Sequence, residues 1–144
     1  MSIVYEGNVI WAQVDANMHL RHSAYADFAA QARIAMLNNL GLDFKTFQHL
    51  KLGPILFREE LRYLREVGIN DSIKIESVLT KARPDGSRWS IRHELYRGDG
   101  VKAAIINVEG AWMDLMKRKL AALPEDFAQR FMTLPQAEDF VLEA

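Results

Sequence analysis

Apolar and polar positions alternate along two segments in the second half of the chain, a pattern typical of half-buried strands. In Ser72–Ala82 and again in Arg88–Arg97, apolar side chains fall on one parity and charged or polar ones on the other. Turn residues, Pro84–Ser87 and Gly98–Gly100, follow each segment. The pattern predicts antiparallel strands joined by short turns. Two further strands after the helix are predicted at the apolar runs Ile55–Arg65 and Val101–Met113.

The period changes to that of a helix between Ser23 and Leu40, where larger apolar side chains recur every three or four residues. Ser23 is the expected N-cap, and Gly41 is the expected C-terminal stop. Six alanines in this segment favour helix and let other backbone approach closely, so we expect the helix to be enclosed on more than one side. Shorter helices are expected at Asp43–Leu50 and from Pro124 to Phe131.

The two ends of the chain complete the expected architecture. Residues 3–14 are rich in β-branched and aromatic residues and predict a strand, interrupted near Glu6–Asn8. Residues 135–144 are acidic and predict a loose tail, a strand, or an arm that docks on a partner. A strand, one long helix and then four strands at hairpin spacing indicate an α+β fold, with the helix in the hollow of a curved antiparallel sheet.

Composition narrows the function classes. The 144 residues fit one domain, and a formal net charge of −1 argues against a general nucleic-acid binder. The absence of cysteine excludes disulfides, thiolate nucleophiles and zinc ribbons. No apolar stretch approaches about 18 residues, so no membrane span is expected. The N-terminus does not resemble a secretory signal, and the expected location is the cytoplasm.

The first candidate for chemistry is Asp15, which stands between the first strand and the long helix. A carboxylate at this place can act as a general base or as a nucleophile. Free N–H groups at the start of the helix can hold an oxygen on which negative charge develops. The alternative is a turn residue whose carboxylate accepts local N–H groups.

The segment Asp15-Ala-Asn-Met-His19-Leu-Arg-His22-Ser-Ala-Tyr25 resembles the signature of hotdog-fold thioesterases, in the branch of 4-hydroxybenzoyl-CoA thioesterase and its acyl-CoA thioesterase relatives. That signature has an aspartate, a Gly-His or Gly-Val pair three to four residues on, and a Tyr or Phe ten residues on; Asp15, His19 and Tyr25 stand at those offsets. Later segments, Arg83–Ser90, Tyr96–Ala103 and Trp112–Lys119, follow in the family's order. The resemblance implies that residues 1–144 form a single hotdog domain, a curved antiparallel sheet of about five strands wrapped around one long central helix.

The resemblance also implies an activity and an assembly. The protein would be an acyl-CoA thioesterase that releases a free acid and CoA, with Asp15 as general base or nucleophile and a backbone N–H around His22 polarising the carbonyl. Coenzyme A would be part of the substrate, with no bound cofactor and no metal. A homodimer or a dimer of dimers would join its sheets edge to edge and place the active sites between subunits.

Five further residues are candidates for this site. His22 is expected to orient water or the carbonyl, or else to be an exposed loop histidine. His19 faces substrate or holds the loop, and Tyr25 borders the acyl pocket or packs in the core. Arg58 and Arg88 would meet the phosphates of coenzyme A, unless they are solvated surface charges. A histidine on the apolar parity of its strand, His93, is expected in the core.

Two departures from the family's pattern motivate a second hypothesis. Met18 stands where a glycine is usual, and Arg21-His22 replaces a common pair of asparagines. Both changes lie in the loop that would face the substrate. The alternative is therefore a hotdog dimer that binds acyl-CoA without hydrolysing it. A hotdog hydratase is disfavoured, because the longer helix-borne aspartate–histidine motif of those enzymes is not found.

Overall fold

The computed structural model describes residues 3–143. A long sheet carries most of these residues, and three α-helices connect or cover its strands. A short 3-10 turn, Trp11–Gln13, lies between the first strand and the first helix. The elements in chain order are β1 (Ile3–Asn8), α1 (Ala24–Asn39), α2 (Phe44–Leu50), β2 (Leu52–Tyr63), β3 (Ser72–Ala82), β4 (Arg88–Arg97), β5 (Lys102–Asp114), β6 (Lys119–Leu120), α3 (Glu125–Phe131) and β7 (Gln136–Leu142).

The sheet has the strand order β1-β3-β4-β5-β2, and all neighbours in this series are antiparallel. β6 adds to β5, and β7 lies parallel to β3. The β3–β4 turn has its expected chemistry, since Gly86 has φ +75° and the Asp85 carboxylate accepts the N–H and the hydroxyl of Ser87. Because β2 follows β5, it forms the outer edge of the sheet on that side.

The predicted alternation is confirmed in β3 and β4, whose bounds agree with the sequence pattern. The apolar parity of each strand faces the core, and the charged parity is exposed or half-buried. Successive side chains point to opposite faces of a strand, so one sheet face receives the core while the other is left to polar groups. The buried set is Ile73, Ile75, Leu79, Trp89, Ile91, His93 and Leu95.

Helix α1 packs its small and aromatic residues against the core side of the sheet. Ala29 and Ala32 are fully buried there, whereas Asp27, Gln31 and Ile34 are exposed. The helix has 16 residues and an open face. The expectation of one long central helix, enclosed on more than one side, is therefore not confirmed. The sheet is nevertheless the curled antiparallel one expected, with about five long strands.

Several boundaries differ from the sequence-based expectation. β1 ends at Asn8 and not at Val14, because the chain turns at Trp11–Gln13 before an isolated bridge joins Val14 to Leu20. Gly41 ends α1 as predicted, with φ +82°. Of the alternatives for residues 135–144, the structure shows a strand within the same chain, and Ala144 lies outside the described residues. Within residues 3–143, no helix is both long and apolar enough to cross a membrane.

Candidate active site

The loop before α1 is closed by the Asp15 side chain. Asp15 Oδ1 accepts the N–H groups of Asn17 at 2.9 Å and His19 at 3.2 Å. The Asp15 N–H in turn donates to the His19 carbonyl at 2.9 Å. Met18, at φ 65°, takes the left-handed conformation that the tight turn requires. The turn role considered for Asp15 is therefore real, and it occupies only one of the two carboxylate oxygens.

The same loop is anchored to the connection between β2 and β3. His19 Nε2 lies 3.1 Å from Glu66 Oε2, and the backbone of His19 forms a bridge with Gly68. The Leu20 N–H donates to the Val67 carbonyl at 2.7 Å. These contacts hold His19 half-buried at the side of the loop. They support its structural reading and leave Asp15 exposed.

The start of α1 presents free backbone donors. Ser23 occupies the predicted N-cap position, but its hydroxyl does not cap the helix; it accepts from Arg21 Nε at 3.0 Å. Among the described residues, the N–H groups of His22 and Ser23 donate to no backbone or side-chain acceptor. Unsatisfied N–H groups at a helix start attract negative charge. This is the arrangement that a developing oxyanion needs.

Two tyrosines form the wall beside these donors. The Tyr25 and Tyr63 rings meet edge to face at 5.0 Å, and the Tyr63 hydroxyl donates to the His22 carbonyl at 3.1 Å. Burial raises the pKa of Tyr25, and the nearby Tyr63, Asp15 and Glu66 raise it further. Tyr25 therefore keeps its proton at neutral pH and remains a hydrogen-bond donor.

These groups surround an open depression, which we call the Asp15 cavity. Four of the predicted site residues line it, so the structure brings Asp15, His19, His22 and Tyr25 together. Sequence reasoning missed its other wall, which comes from the end of β2 and the residues after it. Nothing local in that stretch indicates a site, because it joins the loop only through the fold. The remaining lining residues are Leu20, Tyr63, Leu64, Arg65 and Glu66.

The two arginines expected at coenzyme A lie elsewhere in this protomer. Arg58 is exposed on β2 and forms an ion pair with Glu60 at 3.3 Å. Arg88 is exposed on β4 with its guanidinium over the Phe57 ring at 5.0 Å. Neither lines the Asp15 cavity, and their contact with coenzyme A stays a prediction. No group of three metal-binding side chains is found in residues 3–143.

The chain that forms this site matches the model of a known protein family. The family model of the thioesterase-like superfamily matches residues 9–131. The chain belongs to this superfamily. The match includes the Asp15 loop, α1 and five of the strands, β2–β6. No curated protein matches the chain in sequence.

Solved structures show the same fold. A hypothetical protein from Staphylococcus aureus, in complex with CoA, is 19% identical with a TM-score of 0.85, covering 96% of this chain and 91% of its own. DHNA-CoA thioesterase from Staphylococcus aureus is 16% identical at a TM-score of 0.81, with coverages of 89% and 87%. A 1,4-dihydroxy-2-naphthoyl-CoA thioesterase from Synechocystis is 16% identical at 0.80, with coverages of 92% and 96%. The expected resemblance to hotdog-fold thioesterases is confirmed.

Proposed function

We propose that the protein is an acyl-CoA thioesterase whose catalytic carboxylate is Asp15. The observation that carries this proposal is that the two oxygens of the Asp15 carboxylate have different hydrogen-bond surroundings. Oδ1 is held by two N–H groups of the loop, while Oδ2 accepts no hydrogen bond from residues 3–143. One oxygen fixes the carboxylate next to the free donors of α1, and the other is left for chemistry.

The reaction follows from these positions. The thioester carbonyl accepts hydrogen bonds from the free N–H groups of His22 and Ser23, which polarise it toward an oxyanion. In the general-base route, Asp15 takes a proton from water while the water oxygen bonds to the acyl carbon. The C–S bond then breaks, and the proton passes to the CoA sulfur. In the nucleophilic route, Asp15 itself bonds to the acyl carbon, the C–S bond breaks, and the CoA thiolate leaves and takes up a proton. Water then opens the resulting anhydride to the free acid and the Asp15 carboxylate, and its second proton balances the one taken up by the thiolate.

The family and its structural neighbours support this reaction class. The chain belongs to a thioesterase-like superfamily, two neighbours are named as CoA thioesterases, and another was solved with CoA. In this proposal His22, which is exposed and lines the cavity, orients water or the carbonyl. Tyr25, which stays protonated, borders the acyl group.

The proposal includes a homodimer paired through β2. This strand has 12 residues at the outer edge of the sheet, and it exposes Leu56 (42%), Phe57 (52%) and Tyr63 (51%). A long apolar edge with unpaired backbone groups invites another strand, and two-fold pairing satisfies both copies. Because Tyr63 also lines the Asp15 cavity, a partner at this edge would form its missing wall.

The decisive experiment compares wild type with Asp15→Asn in release of CoA thiol from a panel of acyl-CoAs. Asparagine keeps a carbonyl oxygen for the N–H groups of Asn17 and His19, so the loop keeps its shape. It can neither accept the proton nor attack the carbon. Turnover is expected to fall by about 10²–10⁴-fold, the usual contribution of general-base catalysis.

Asp27→Asn is the matched control. Asp27 is an exposed carboxylate in the first turn of α1, so this variant loses the same charge close by without touching the cavity. Full activity in Asp15→Asn would contradict the mechanism and leave Asp15 as a turn residue. Saturable CoA binding without thiol release in wild type would instead establish the non-hydrolysing acyl-CoA-binding dimer.

A further inference from the structure

A second cavity lies about three helical turns along α1 from the Asp15 loop. It measures about 150 Å³, the size of a cavity that holds benzene, and sits between α1, β2, β4, β5 and α3. Two of its lining residues, Ile34 and Leu56, are 40% and 42% exposed, so it opens between α1 and β2. We call it the Arg33 cavity. Its principal walls are Ile34, Leu56, Trp89, Trp112 and Phe131, with Arg33.

Arg33 is the only charged residue in this otherwise apolar lining. It is half-buried, and burial lowers its pKa. None of the ion pairs within residues 3–143 includes it. The exposed carboxylate of Glu59 on β2 raises the pKa of Arg33, but less than burial lowers it. A guanidinium has five N–H donors, and a cation removed from water is costly unless an acceptor meets it. Within residues 3–143, no carboxylate meets the Arg33 guanidinium at ion-pair distance.

A buried histidine holds Arg33 in place without neutralising it. His93 Nε2 lies 3.1 Å from Arg33 Nη1, and His93 Nδ1 lies 2.5 Å from Ser77 Oγ. Because arginine can only donate, Nε2 is the acceptor and the neutral ring carries its proton on Nδ1. Burial, aided by Arg33, lowers the pKa of His93 to about 3. His93 is thus a neutral positioning residue.

The cavity lining contains no acidic residue. The indole N–H groups of Trp89 and Trp112 are buried without an acceptor in the described part of the chain. Trp89 is fixed in place by β5, since its ring lies against Gly110. The Arg33 guanidinium beside this apolar space is complementary to an apolar group that ends in an oxygen anion.

We propose that the Arg33 cavity binds the far end of the acyl group and selects acyl chains that end in a carboxylate. This inference rests on the proposed thioesterase function and names its substrate class. The carboxylate would accept from the Arg33 guanidinium in the bidentate geometry that arginine favours, and the apolar walls would hold the chain. The cavity volume limits the enclosed part to about six carbons.

The reacting thioester would lie in the site of the partner subunit. From Ser23 to Arg33 the helix rises about 15 Å at 1.5 Å per residue, too far for a benzene-sized group to bridge within one protomer. Tyr63, at one end of β2, lines the Asp15 cavity, and Leu56, nearer the other end, lines the Arg33 cavity. A two-fold axis through the middle of β2 reverses the partner strand. It therefore brings the Arg33 cavity of one protomer toward the Asp15 cavity of the other.

The test uses two acyl-CoAs that differ only at the far end, adipoyl-CoA and hexanoyl-CoA. Wild type is expected to have at least a tenfold higher kcat/KM for adipoyl-CoA, and Arg33→Met is expected to lose that preference. Arg92→Met is the matched control, because Arg92 precedes His93 on β4, points to the other sheet face and pairs with Glu94. It should keep the wild-type ratio. An unchanged ratio in Arg33→Met, or a wild-type preference for hexanoyl-CoA, overturns the proposal.

A binding measurement separates this inference from the proposed function. Trp89 and Trp112 in the wall report on occupancy by fluorescence, whereas Trp11 is exposed at 73% and gives a constant background. Monomethyl adipate is expected to change the emission saturably in wild type but not in Arg33→Met, and methyl hexanoate is expected to bind more weakly. If no acyl-CoA is hydrolysed but this pattern holds, only the enzymatic function fails. If hydrolysis occurs without it, the Arg33 proposal fails.

Subunit mixing tests the placement across the interface. Asp15→Asn and Arg33→Met homodimers are exchanged and assayed with adipoyl-CoA. A mixed dimer contains one site with Asp15 from one chain and Arg33 from the other, so random exchange restores wild-type geometry at about one quarter of all sites. Recovery to about that fraction of wild-type turnover supports the shared site. No recovery, with exchange verified by mass, overturns it.

Discussion

The two cavities of this protein are built in opposite ways. The Asp15 cavity is open, lies on loops and the start of a helix, and is lined by polar groups that local hydrogen bonds hold in place. The Arg33 cavity lies between packed helices and strands, opens only between α1 and β2, and has an apolar lining with one cation. An open loop can present a carboxylate to water, which hydrolysis requires. Walls formed by packed helices and strands can recognise the shape and the single charge of an acyl chain, which selection among acyl chains requires.

The largest expected effect is on the chemistry of the open cavity. Asp15→Asn should lower turnover of adipoyl-CoA and hexanoyl-CoA by the same factor, about 10²–10⁴, because both substrates need the same proton transfer. The ratio of their kcat/KM values should stay at the wild-type value, in contrast to Arg33→Met. Steady-state kinetics with both substrates checks this. A ratio that changes in Asp15→Asn would mean that the two cavities are not separate in function.

The next effect concerns packing. An added Cβ at Gly110 would lie 2.5 Å from the Ile55 carbonyl and 2.5 Å from the Trp89 ring, so backbone or wall must move. Gly110→Ala is expected to destabilise the fold by about 1–3 kcal/mol, the range for overpacking, and to weaken selection at the Arg33 cavity. At Gly68, beside the Asp15 loop, the nearest atom would be 3.5 Å away. Gly68→Ala should be tolerated. Thermal unfolding of both variants measures this difference. Equal losses of stability would show that the two cavities tolerate an added methyl group equally.

A smaller expected effect is on the pH dependence of stability, to which the buried His93 beside the Arg33 cavity contributes. The pKa of His93 is about 3 in the fold and about 6.5 in the unfolded chain. Between these two pH values, His93 is therefore protonated in the unfolded state and neutral in the folded state. The contribution of neutral His93 to the free energy of unfolding is therefore complete above pH 6.5 and is lost as the pH falls toward 3. Between pH 7 and pH 5, wild type should lose about 2 kcal/mol more than His93→Gln. Urea unfolding at both values tests this, and parallel losses would show that His93 takes up a proton within the fold.

The extent to which sequence predicts these regions depends on how local their signals are. β3 and β4 could be predicted to the residue, because a period of two bounded by turn residues leaves little freedom. The first strand could not, since Ile10 and Trp11 are apolar yet exposed beyond the sheet. Their composition favoured a strand, and only the chain reversal that follows shows otherwise.

The same distinction holds for the candidate site. Asp15 to Tyr25 form one contiguous stretch, so a motif could indicate them, whereas Tyr63 and Glu66 reach the cavity only through the tertiary fold. Arg33 belongs to no motif, but it lies four residues after Ala29 and three before Met36, both buried. A charge at that helical spacing is on the buried face. His93 was correctly predicted in the core from its parity, but its partners Ser77 and Arg33 were not.

The smallest expected effect tests how the open cavity is held. Tyr63→Phe keeps the ring against Tyr25 and removes only the hydroxyl that donates to the His22 carbonyl. One partly solvated hydrogen bond contributes about 0.5–1.5 kcal/mol, so stability should change by about 1 kcal/mol or less. Turnover should fall only a few-fold, since the N–H groups of His22 and Ser23 lose one support but remain. Kinetics beside urea unfolding measures both; a loss as large as that of Asp15→Asn would make the hydroxyl a catalytic group. Catalysis in the Asp15 cavity would then depend on the Tyr63 hydroxyl as well as on the Asp15 carboxylate.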